Sequence, residues 1–208
     1  TVMRQFEKYF AGRELPGGVD IGLFRLALAL HDIGKVQAIR EGKKWKQYDF
    51  TRQALEGLRS FLSITSNEMD FIIALLDGDP IGSYLQGITT CTDAAMRVQA
   101  MAVQAKIPTS SFLRLLIIYY QADAGSYTGD AGGEKLLDYL FEYDSESGRF
   151  AFDEENGRIK FSAEVQEKFD ALVRLQAILA NLKARGIQPT VLQSHTPLPA
   201  ELRKRQGE

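Results

Sequence analysis

The chain has almost none of the residues that dominate most metal and redox sites. It has one cysteine, two histidines and one tryptophan in 208 residues. A lone Cys91 excludes an internal disulfide and any thiolate-rich metal cage. Its neighbours are threonines, apart from Asp93, so it reads as a buried structural thiol rather than a nucleophile. No apolar run reaches the ~18 residues of a membrane span, and no signal peptide opens the numbering. These absences fit a soluble, cytoplasmic protein with no membrane partner. A net charge of −2 argues against a surface committed to nucleic acid. Proline is sparse, at six residues, which leaves long stretches free to be helical.

What the sequence does have is apolar residues at helical spacing. They predict helices near 2–11, 22–33, 50–63, 66–77, 92–106, 110–124, 134–142 and 163–185. Asp49 is expected to cap the third, Thr65 with Glu68 to form a capping box on the fourth, and Thr109 or Ser110 to cap the sixth. Residues 77–80, Asp-Gly-Asp-Pro, read as a turn. Residues 149–162 alternate around Asn156-Gly157, a strong hairpin signal. In the last helix Val165, Phe169, Leu172, Gln176, Leu179 and Leu182 make a stripe that suits the core or a second copy of the chain. Gly186 and Pro189 end that helix, and His195 and the basic residues 203–205 belong to a tail. The expected class is all-α, a helical bundle with a small C-terminal hairpin and a long final helix. A helical core over 1–128 and an accessory region over 129–208 are the expected domains.

One stretch organises the chain. Residues 26–35 read Leu-Ala-Leu-Ala-Leu-His-Asp-Ile-Gly-Lys, an apolar run ending abruptly in charge. A buried carboxylate needs a partner, and a divalent cation is one that imidazole and carboxylate both bind. Gly34 suits a left-handed residue at a helix C-terminus, and Lys35 lies where it can meet a phosphate. An ordinary helix end, its imidazole satisfied by a carbonyl, has the same two residues. A second apolar run, 112–120, leads to Asp123 and so delivers another carboxylate to the same kind of terminus.

The string Leu-His-Asp-Ile-Gly-Lys resembles the signature of the HD superfamily of metal-dependent phosphohydrolases. That resemblance implies an all-helical domain and a divalent ion held by His31, Asp32 and Asp123. It implies catalysis centred on Asp32 and Lys35, with a phosphomonoester or phosphodiester, nucleotide-like, as substrate. The family places a further histidine on the preceding helix, and residues 1–30 contain none; it is either absent or upstream of Thr1. Two-metal members carry additional histidines where this chain has Tyr48-Asp49 and Asp77-Gly78-Asp79. With few nitrogen ligands, Mg²⁺ or Mn²⁺ suits the set better than Zn²⁺.

Residues 35–48 hold Lys35, Arg40, Lys43, Lys44 and Lys46 with Trp45 and Tyr48 among them. A solvated loop has this composition. So does a basic lid in which Lys35, Arg40, Lys43 and Lys44 bind phosphate and an aromatic ring stacks on a base. Two rival readings stand beside the enzyme. One is a degenerate HD domain that binds a nucleotide or a protein without turnover. The other is a helical interaction module in which His31 and Asp32 are structural.

Overall fold

The computed structural model describes residues 1–132 and 134–185. Two units divide the chain, Thr1–Ala177 and Ile178–Glu208, and the second contributes only the end of the final helix to the described residues. The expectations for Gly186, Pro189, His195 and 203–205 lie outside those residues. The fold is predominantly α-helical, and among the described residues no single helix is long and apolar enough to cross a membrane.

Nine helices are described: α1 (Val2–Phe10), α2 (Ile21–Leu30), α3 (Lys35–Arg40), α4 (Gln47–Leu58), α5 (Ser66–Leu75), α6 (Pro80–Leu85), α7 (Cys91–Ala105), α8 (Thr109–Gly125) and α9 (Ala163–Ala184). Helix α8 is the central element. Its Phe112, Leu115, Leu116 and Ala122 are buried, and it packs against α1, α6 and α7. Helix α5, buried over 71–75, packs against α2, α4 and α7. A buried amide joins α8 to the strands. Gln121 Nε2 donates to the Ile159 carbonyl at 2.7 Å, and its Oε1 accepts from the Ile159 N–H at 2.9 Å. The side chain thereby imitates a strand neighbour and satisfies both backbone groups.

Several boundaries differ from the sequence expectations, each for a local reason. Residues 35–48 are not one loop: α3 and a 3-10 turn, Lys44–Lys46, run into α4. Helix α4 therefore starts at Gln47, and Asp49 lies in its first turn, where a negative charge complements the macrodipole, rather than capping it. It ends at Leu58, which leaves Phe61 in solvent. The Thr65–Glu68 capping box is present, with Thr65 N–H donating to Glu68 Oε2 at 2.6 Å and Glu68 N–H to Thr65 Oγ1 at 3.2 Å. Helix α6 has no counterpart in the sequence reading. Asp79 caps it and Pro80 takes its first position, the one helical site where a missing N–H costs nothing. Pro108 is the residue before α8, so neither Thr109 nor Ser110 caps it.

The helix expected at 134–142 is a single 3-10 turn, Asp138–Leu140. Leu136 and Tyr139 face solvent, so no continuous apolar face exists there to hold a helix. Two short antiparallel ladders follow instead of one hairpin: β1 (Tyr143–Asp144) with β2 (Arg149–Phe150), and β3 (Phe152–Asp153) with β4 (Arg158–Ile159). The second surrounds Asn156-Gly157 as its sequence suggests. Cys91 opens α7 half-buried rather than buried.

Candidate functional site

Two helix ends meet at the candidate site. The capped start of α2, where Asp20 Oδ1 accepts from the Leu23 N–H at 2.9 Å, fixes the helix that ends at Leu30. His31 and Asp32 lie in the turn that follows. Gly34 lets that turn fold back, though not through the left-handed geometry expected of it. Its φ is −85°, within the right-handed region, and it precedes α3. A Cβ there would lie 2.2 Å from the Thr51 amide nitrogen and 2.6 Å from the Phe50 carbonyl carbon. Glycine is required because the turn rests on the backbone of α4.

His31 Nδ1 is 2.7 Å from the Leu28 carbonyl oxygen. A carbonyl only accepts, so Nδ1 carries a proton, and the ring turns Nε2 outward. Nε2 then lies 3.5 Å from Asp32 Oδ2 and 3.7 Å from Asp123 Oδ1. Both distances exceed a good hydrogen bond. Two donors on one ion at ~2.0–2.2 Å can be up to ~4.4 Å apart, so both spacings are compatible with a shared cation. A neutral imidazole would point its lone pair at two carboxylates. Positive charge among these groups would relieve that arrangement. The carbonyl contact expected of an ordinary helix end is thus present, and it is also the contact that orients a metal-binding imidazole.

Lys35 Nζ donates to Asp32 Oδ2 at 2.9 Å, which raises the lysine above its usual pKa. Among the described residues Asp123 has no such partner. Burial pushes its carboxyl upward and nearby Asp32 adds to the shift, against the pull of His31 and Lys35. Two groups outside the expected ligand set also face this centre. Asp79 is raised by burial, with Asp123 adding to it and the hydrogen bond from Gly82 N–H opposing. Tyr48 is pushed up to about 12, chiefly by burial, with Asp79, Asp123 and Asp32 contributing. The sequence signal for Asp79 was the pair of acids before Pro80, read as a plain turn. Asp77 does behave that way, held between Arg52 and Arg97. Asp79 turns inward because it caps α6.

The structure therefore gathers His31, Asp32, Lys35 and Asp123. It does not bring Arg40, Lys43 or Lys44 to them by any ion pair among the described residues. Lys43 Nζ pairs with Glu41 at 3.0 Å, and with Lys46 and Arg52 it lines a separate hollow of about 290 Å³. Trp45 is exposed. Among the described residues no three His, Cys, Asp or Glu side chains stand in an arrangement that would hold a metal ion as they are placed. The donor types still suit a hard divalent ion: one oriented imidazole nitrogen, the Asp123 carboxylate, and the Asp32 oxygen that Lys35 does not occupy.

Comparison of the chain with family models, with curated proteins and with solved structures finds no match.

Proposed function

We propose that the chain is an HD-type, metal-dependent phosphohydrolase acting on a phosphomonoester or phosphodiester, nucleotide-like in form. The observation that carries this reading is the direction of His31 Nε2, aimed at the carboxylates of Asp32 and Asp123. His31, Asp32 and Asp123 would hold Mg²⁺ or Mn²⁺ and leave coordination positions for water and substrate. Bound there, the ion supplies a more acidic water and polarises a phosphoryl oxygen. Lys35, already beside Asp32, supplies the positive charge that a developing phosphoryl oxyanion needs. The Leu28 carbonyl keeps the imidazole in one tautomer and one orientation.

A second reading has its own observation. Lys35 already occupies Asp32 Oδ2, so the acid pair is partly neutralised without a metal. A domain that binds a nucleotide without turnover would have this arrangement. Hydrolysis of a panel of nucleotides with Mn²⁺ separates the two. The enzyme reading expects turnover by the wild type, loss of turnover in Asp32→Ala, and retained metal with reduced rate in Lys35→Ala. Metal uptake with no hydrolysis of any panel member makes the binding reading the correct one.

A further inference from the structure

A cavity of about 180 Å³ opens beside Asp123, between the ends of α6 and α8, the 3-10 turn at Asp138–Leu140 and the start of α9. Asp79, Tyr120, Asp123, Tyr127, Tyr139 and Leu140 are among its walls. Sites that enclose a whole drug-sized ligand occupy ~300–1,000 Å³. This one accommodates a single ring system, with the rest of the ligand outside it.

Three features of the walls specify the ring. Tyr127 and Tyr139 keep 43% and 63% of their surfaces exposed, large aromatic faces left uncovered at the rim. Tyr120 is the reverse. It is 9% exposed, it lines the cavity, and its hydroxyl has no hydrogen-bond partner among the described residues. That oxygen is not one of the buried polar atoms left without a partner among the described residues, so it opens on the cavity, where a ligand atom can meet it. Asp79 adds an acceptor. One oxygen receives the Gly82 N–H at 2.7 Å, while the other would lie 2.0 Å from a Cβ at position 82 and so depends on the glycine for its place. That second oxygen accepts nothing from the described residues.

With Asp79 and Asp123 in its walls the cavity disfavours an anionic group, and Lys168 at its edge is already paired with Glu164. The nearest positive charge outside the cavity's walls is Lys35, paired with Asp32 at 2.9 Å and near enough to the rim residue Tyr127 to be raised by it. A ligand with a flat donor-bearing ring and a phosphate some way off matches that polarity: the ring in the cavity, the phosphate toward Lys35.

We propose that this cavity is the base-recognition site for an amino-bearing nucleobase, stacked on the tyrosine faces with its amino group donating to Asp79. The inference rests on the phosphohydrolase reading for the position of the phosphate, and on the cavity alone for the base.

Calorimetric titration with adenosine, which has no phosphate, in metal-free buffer tests the base site by itself. Adenosine should bind, and purine riboside, which lacks the amino group, should bind about tenfold more weakly. Tyr139→Ala, a change at an exposed residue, should weaken adenosine by about tenfold or more. Asp79→Asn keeps a good helix cap but replaces the free acceptor with a donor, and should erase the preference for adenosine over purine riboside. No adenosine binding at millimolar concentration overturns the proposal, as does binding that both variants leave unchanged. Mn²⁺-dependent hydrolysis of ribose 5-phosphate, which has no base, reports the phosphohydrolase reading separately. Hydrolysis without adenosine binding overturns the base site alone. Adenosine binding that Tyr139→Ala weakens, with no hydrolysis, supports the base site and sets aside only the enzyme.

Discussion

Asp130 and Asp123 are seven residues apart and treated in opposite ways by the same fold. Asp130, its side chain 1% exposed, is fully engaged: Lys8 Nζ lies at 2.5 Å, Tyr9 Oη at 2.9 Å and Gln5 Nε2 at 3.1 Å. Tyr9 in turn accepts from the Phe150 N–H at 2.9 Å, so the network also anchors the first ladder. Asp123 has a His31 nitrogen at 3.7 Å as its nearest basic partner and faces Asp32 and Asp79. The chain thus has the means to pair a buried carboxylate just beyond the end of α8, and within the last turn of that helix it does not use them. A carboxylate cluster left short of donors, beside an oriented imidazole, is the arrangement expected of a site that takes its missing charge from a ligand.

The contrast can be broken most forcibly at Asp130. Asp130→Ala strands the Lys8 ammonium and the Tyr9 hydroxyl. Because Lys8 remains partly exposed, the loss should fall near the lower end of the range for broken buried pairs, about 3 kcal/mol in urea unfolding. Asp123→Asn, at a side chain 35% exposed and with no partner to strand, should change stability by less than about 1 kcal/mol. Similar losses in the two variants would erase the distinction.

Gly34→Ala comes next. The added Cβ meets backbone atoms of α4, which cannot swing aside as a side chain would. A cost of about 1–3 kcal/mol is expected, together with weaker metal binding as the His31 turn shifts. A Gly34→Ala variant of unchanged stability would mean that the turn does not rest on α4 as described.

The smallest effect sharpens the comparison through pH. Burial raises Asp79 above its usual value of 3.8, so the folded chain holds that proton more tightly than the unfolded one. Between the two values the native state binds more protons, and stability falls as pH rises through the folded pKa. Asp79→Asn removes the penalty and keeps the cap. It should therefore melt above the wild type at pH 7, with the difference shrinking toward zero near and below pH 3.8. A variant less stable than the wild type at pH 7 would show that the Asp79 charge is compensated.

Most of the helices were legible because each has its own period and its own stop. The capping box at Thr65 and the ladder around Asn156-Gly157 are local devices that need no tertiary context. The convergence of Asp32 and Asp123 was legible because both follow apolar runs that have to be buried. The remainder depends on contacts between distant segments. Gly34 was right in kind and wrong in cause, since closeness to α4 leaves no trace in the residues around it. Helix α6 was hidden because a proline that stops one helix can start the next. Asp79 and Tyr48 join the site only because α4, α6 and α8 meet there. Tyr120 looked like one more apolar position in a buried run.

The central claim is that His31, Asp32 and Asp123 form one cation site, and uptake of Mn²⁺ measures it most directly. Calorimetric titration of the wild type should give one Mn²⁺ per chain, and metal at a hundredfold its Kd should stabilise the fold by about 2.7 kcal/mol. His31→Ala and Asp123→Ala should each abolish the uptake and the stabilisation together. A wild-type chain that takes up no Mn²⁺, or a His31→Ala chain that takes up as much as the wild type, would contradict the account.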